Sequence, residues 1–154
     1  MENSQLNKIK ISNPLKNRFS KITEDLFWAR IPLPFRLDHV NVYAINSNDG
    51  LVIIDTGIDN RLTRKCWEEI IENLSPSISL SKIIISHHHP DHIGASKYLS
   101  NKLNLEVFAP KVELQRVKKL MSLTDNEYSR LMTLNYKEFG LNKKLIDRVK
   151  IQGN

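Results

Sequence analysis

Ile85-Ser86-His87-His88-His89-Pro90-Asp91-His92-Ile93-Gly94 is the stretch that organises this chain. Four of the five histidines in the sequence, with one aspartate, fall between His87 and His92. Imidazole and carboxylate are the usual ligands of a borderline divalent ion such as zinc. The run Lys82-Ile83-Ile84-Ile85 leads in and a helical pattern follows, so the cluster reads as a metal loop closing a buried strand. His87 and His89, two apart, can project to one side and share an ion. Asp91 and His92 can turn toward a second ion close by. Pro90 stiffens the crossing, and Gly94 lets the backbone enter the next helix without a side chain in the way. His88 should point away, as support or toward solvent. A histidine tract can also be a metal-sticky run without a site, but this one is internal and broken by Pro90 and Asp91.

Outward from the loop, the pattern is strands separated by helices, an α/β (α+β) layer rather than an all-helical bundle. Residues 1 to about 20 read as a polar, Asn/Lys-rich arm with a short strand at Lys8–Ile11. Leu26–Ile31, Val40–Ile45 and Leu51–Ile54 read as strands, the last two joined by the tight turn Ser47-Asn48-Asp49-Gly50. Asp55-Thr56-Gly57 ends the third. Leu62, Cys66, Trp67, Ile70, Ile71 and Leu74 recur at three- and four-residue steps and predict an amphipathic helix over 60–74, capped by Asp59 or Asn60. Ile83–Ile85 is the fourth strand, Ala95–Leu103 a short helix and Leu105–Ala109 a fifth strand stopped by Pro110. Beyond it, Val112, Leu114, Val117, Leu120 and Met121 form one helical face, and Tyr128, Leu131, Met132 and Tyr136 another after Thr124-Asp125. Gly140 is a helix terminator, and Leu145, Ile146 and Val149 suggest a last helix.

A length of 154 residues and a hydrophobic share of 40% suit a folded domain with a real core. The formal charge of +6 is compatible with a solvated basic surface or an anionic substrate. Its Lys and Arg are scattered from Lys8 to Lys150 without an aromatic-interleaved stripe, which argues against nucleic-acid binding. The single cysteine, Cys66, excludes an intrachain disulfide and reads as a packed thiol. Met1–Gln5 lacks an apolar leader, and no apolar run approaches the ~20 residues of a membrane span, so a cytoplasmic protein with no membrane partner is expected.

The motif His87-x-His89-x-Asp91-His92 resembles the H-x-H-x-D-H signature of the metallo-β-lactamase superfamily. Val40-Asn41-Val42-Tyr43, then Leu51–Ile54 with Asp55-Thr56-Gly57, resembles that family's hairpin and its Asp-Thr-Gly corner. The likeness runs from about Leu26 to Pro110. It implies the N-terminal half of an αββα sandwich over residues 21–110. Residues 111–154 would be a helical extension, the start of an insert.

The resemblance also implies roles. His87 and His89 would bind a first zinc; Asp91 and His92 would bind a second, with iron or manganese as alternatives. Asp91 would orient or deprotonate the attacking water. Asp55 would support the metal loop by hydrogen bonding rather than bind metal. His39 could sit at the mouth of the site, though as an isolated histidine it reads as structural. The implied reaction is attack of metal-activated water on an ester, thioester, lactone, lactam or phosphoester of a small molecule. The family's remaining ligands lie in a second half, and no histidine follows His92 here. Three expectations follow: a truncated hydrolase, a chain completed by self-association or by a partner chain, or a non-catalytic metal-binding or interaction module.

Overall fold

The computed structural model describes residues 12–34, 36–138, 140 and 142–145. By internal contacts the chain divides into two units, Met1–Glu113 and Leu114–Asn154. The first holds a six-stranded mixed sheet in the order β1 (Ser20–Lys21), β2 (Leu26–Pro32), β3 (His39–Ser47), β4 (Gly50–Ile54), β5 (Leu80–Ile84), β6 (Glu106–Phe108). Strands β1 to β4 pair antiparallel; β4, β5 and β6 pair parallel. Parallel pairing needs crossovers, and these are helical. Helix α1 (Arg61–Glu72) links β4 to β5, and α2 (Pro90–Ile93) with α3 (Ser96–Leu103) links β5 to β6.

Strand alternation decides what faces the helices. Ala29, Ile31, Val40, Val42, Ile53 and Ile83 point to one face and form a buried cluster with α1 (Cys66, Trp67, Ile70) and α3 (Leu99). Fully burying Trp67 or Ile70 is worth roughly 2–3 kcal/mol each, so this seam secures α1 to the sheet. Helix α1 starts where Asn60, in extended conformation, accepts the Thr63 N–H at 2.9 Å.

The main strands and helices expected between Leu26 and Met121 all form, with small differences at their ends. Several details differ. Leu62 is 58% exposed, and Thr63 takes the inward position at the start of α1, because the buried stripe runs through Thr63, Cys66, Trp67 and Ile70. Strand β1 and the single turn α2 are too short to leave a periodic signal in the sequence. The described part of the polar N-terminal stretch is held down: Asn17 hydrogen-bonds Glu69, and Phe19 packs edge-on against Trp67 at 6.0 Å. The strand expected at Lys8–Ile11 lies outside the described residues, as do Ile146 and Val149 of the last helix.

Helices α4 (Lys111–Met121) and α5 (Asp125–Glu138) follow. On α4 the expected apolar face is not the buried one. Val112, Leu114 and Met121 are exposed, while Glu113 is buried and Val117 and Leu120 are half-buried. At the start of α5, Thr124 and Glu127 exchange hydrogen bonds in a capping box. No helix among the described residues is long and apolar enough to cross a membrane.

Candidate metal centre

Two chain corners meet at the C-terminal ends of β4 and β5. The Asp55-Thr56-Gly57 corner leaves β4, and the His87–Gly94 loop leaves β5. Asp55 sits at φ +64, unusual for a non-glycine residue but tolerated by aspartate. Its N–H donates to the Ile84 carbonyl at 2.9 Å. Thr56 donates both its N–H and its hydroxyl to the His92 carbonyl, each at 2.8 Å. The Ala95 N–H donates to the Gly57 carbonyl at 2.9 Å, and the Trp67 indole N–H to the Thr56 carbonyl at 2.7 Å. Glycine is needed where the corners touch. A Cβ on Gly94 would lie 2.8 Å from the Asp59 nitrogen and 3.0 Å from the Gly57 oxygen, both backbone atoms. Gly57 itself is at φ +85 against the Ile31 side chain.

Asp55 is the hub of the side chains. It is 5% exposed and accepts three bonds: from the Ser86 N–H at 2.8 Å, the Ser86 hydroxyl at 2.6 Å and His92 Nδ1 at 2.8 Å. The Ser86 hydroxyl has only one proton, and that proton goes to Asp55. Ser86 Oγ therefore accepts from His87 Nδ1 at 2.9 Å, which leaves His87 Nε2 with a free lone pair. That Nε2 lies 3.0 Å from His89 Nδ1. Likewise, the bond from His92 Nδ1 to Asp55 leaves the lone pair of His92 Nε2 available to an ion.

The structure brings His87, His92 and Asp55 together, with one potential ligand atom of each within 4.8 Å of the others. His89 joins through His87. Asp91 is placed beside His92, its Oδ2 3.5 Å from His92 Nε2, and is outside that group of three. His88 turns to Glu113, and His39 pairs with its neighbour Asp38. Two residues of the arrangement, Ser86 and Glu113, carry no signal in the sequence. Ser86 reads as a small residue between strand and motif. Glu113 sits among apolar positions of α4 and meets His88 only through the fold.

The donor set fits a divalent ion. Two nitrogens on one tetrahedral zinc stand about 3.3 Å apart at Zn–N distances of 2.0–2.1 Å, close to the spacing of His87 Nε2 and His89 Nδ1. Burial, then the neighbouring His92 and His89, hold the His87 imidazole below its ordinary pKa. Its neutral form, the one able to bind a metal ion, is therefore favoured.

Comparison with known proteins shows the family and the fold. The model of the metallo-beta-lactamase superfamily matches residues 35–149, well over half of the chain and past Pro110. The chain is 29% identical over 93 residues to the probable metallo-hydrolase YqjP of Bacillus subtilis, covering 60% of this chain and 26% of that protein. It is 31% identical over 110 residues to ribonuclease J of Mycoplasma genitalium, covering 64% of this chain and 19% of that protein. The chain thus spans about a quarter or less of the length of these curated relatives. A beta-lactamase domain protein from Burkholderia ambifaria superposes with a TM-score of 0.65 at 25% identity, over 73% of this chain and 36% of that one.

Proposed function

Because the chain belongs to the metallo-beta-lactamase superfamily, we propose that it supplies the first half of a metal-dependent hydrolase centre for a small-molecule ester, thioester, lactone or phosphoester. One observation carries this reading. His87 and His92 converge beside His89, and each has a ligand nitrogen freed by the bonds that Ser86 and Asp55 make behind it. In this reading His87 and His89 hold a first zinc, and Asp91 and His92 hold a second. Iron or manganese would suit the same donors. A divalent ion there supplies Lewis acidity, acidifying water and polarising the substrate's carbonyl or phosphoryl oxygen.

The chain's own residues do the rest. Asp55 orients His92 and, through Ser86, His87. Asp91, 30% exposed at its side chain, is the group that orients the attacking water and takes its proton. Two protein ligands per ion fall short of the three usual for catalytic zinc, so the remainder comes from a continuation of the chain, a partner chain or a second copy. The short span relative to the curated relatives supports this. The domain division 1–20, 21–110 and 111–154 belongs to the same reading, as does a cytoplasmic setting.

The second reading is a non-catalytic metal-binding or interaction module. It is favoured by the exposed Ile45, Ile84 and Phe108, which mark a sheet face open to a partner. Zinc per chain on the gel-filtered protein, beside His87→Ala/His89→Ala, tests the metal reading. About two ions, lost in the double variant, support it; no bound zinc sinks it. Turnover of a generic thioester or phosphodiester, abolished in Asp91→Ala, selects the hydrolase over the module. The phosphodiester assay also covers the likeness to ribonuclease J, while retention on a polyanion would count against a small-molecule substrate alone.

A further inference from the structure

The loop position between His87 and His89 is tied to a residue 25 positions downstream. The His88 N–H donates to Glu113 Oε2 at 3.1 Å, and His88 Nδ1 bonds the same oxygen at 2.6 Å. Glu113 is 7% exposed although it lies in the first turn of α4, where a carboxylate ordinarily faces solvent. Its own N–H is bonded to the Pro110 carbonyl at 2.9 Å, so the corner after β6 fixes where its side chain starts. That corner is registered to the loop's base by the Ile85 N–H, which donates to the Phe108 carbonyl at 2.8 Å.

We propose that Glu113 is a positioning residue for the metal centre. It grips His88 at both backbone and ring, and so fixes the backbone from which His87 and His89 project. The ring bond keeps the His88 imidazole on Glu113 rather than in the ligand cluster. The backbone bond limits the rotation that would separate His87 Nε2 from His89 Nδ1. The competing explanation is that His88 merely satisfies a buried carboxylate. In that case, loss of Glu113 leaves His87 and His89 where they are. The inference rests on reading the cluster as a metal site, and its test separates the two.

The experiment uses the full chain with nitrogen-15 in its histidines, first without metal. In the wild type, the His88 Nδ1 proton should appear far downfield. In Glu113→Ala it should vanish, and the ring-nitrogen signals of His87 and His89 should shift. Unchanged His87 and His89 signals overturn the proposal. His88→Ala should shift the same signals, and adding Glu113→Ala to it should change them little; additive shifts overturn it too. This arm also serves if Glu113→Ala does not fold.

Cobalt(II) is then titrated into each protein. Glu113→Ala should bind about 10–100-fold more weakly with an altered visible spectrum, as loss of an outer partner does at metal sites. Glu113→Gln, which keeps an acceptor oxygen, should recover most of that affinity. Equal cobalt affinity in wild type and Glu113→Ala overturns the positioning role. A wild type that takes no cobalt defeats the metal-site reading instead, and the histidine signals still decide the proposal.

Discussion

At the residue scale, the centre depends on one buried carboxylate. Asp55 accepts three hydrogen bonds at a backbone conformation that aspartate and asparagine tolerate better than most residues. Asp55→Ala strands the donors of Ser86 and His92 and should cost roughly 3 kcal/mol in urea denaturation. Asp55→Asn should cost less but, if the centre holds a divalent ion as proposed, should still weaken its binding, because it cannot accept at both oxygens. Cys66 makes a separate prediction. Burial, then the nearby Glu69, pushes its thiol up from 9.0 to about 11. The unfolded chain then loses this proton first, so the thiol's contribution is intact below pH 9.0 and fades as the pH climbs toward about 11. Iodoacetamide at about pH 8, below both values, should therefore label the native protein far more slowly than the urea-unfolded one. Equal labelling rates would contradict the burial argument. The clustering of His87 and His92 was legible in the sequence because the two lie in one short loop. Ser86 and Glu113 were not, since any turn tolerates a serine and any helix start a glutamate.

At the element scale, the crossover helices hold the corners together. Asn60→Ala removes the side-chain acceptor at the start of α1 and should lower stability by about 1 kcal/mol in thermal or urea unfolding. Gly94→Ala should do more, roughly 1–3 kcal/mol, because the added carbon meets backbone atoms that cannot turn aside. In the metal-site reading it should also weaken divalent-ion binding, as the loop and the Asp55 corner move apart. A Gly94→Ala protein with wild-type stability would refute the close contact. The α1 stripe was readable from its three- and four-residue spacing, yet spacing alone placed Leu62 inside. The packing of α1 on the sheet buries Thr63 instead. On α4 the same ambiguity ran the other way: periodicity favoured Val112 and Leu114, and the structure buries Glu113 against His88.

At the scale of the whole molecule, the sheet of the first unit presents two different faces. Ile83 points to α1 and α3, and its neighbours Ile84 and Phe108, paired in register, point the opposite way. Phe108 is 48% exposed there, and Ile45 and Ile84 are exposed with it. The buried Trp28 Nε1, Arg30 Nε and Asn41 Oδ1 have no hydrogen-bond partner among the described residues. An apolar patch of this kind favours association. Sedimentation velocity should show concentration-dependent self-association, reduced in Ile84→Lys/Phe108→Lys. A wild type that stays monomeric at every concentration would leave only a different partner or a chain continuation to cover the face.

The sequence by itself determined the order of the main strands and helices and the place of the histidine-rich loop between β5 and α3, because periodicity and residue chemistry are local properties. The tertiary structure decided what lies behind the loop histidines. Asp55 is 37 positions from His92 and Glu113 is 25 from His88. Those pairs exist only because parallel pairing of β4, β5 and β6 brings three chain corners to the same end of the sheet.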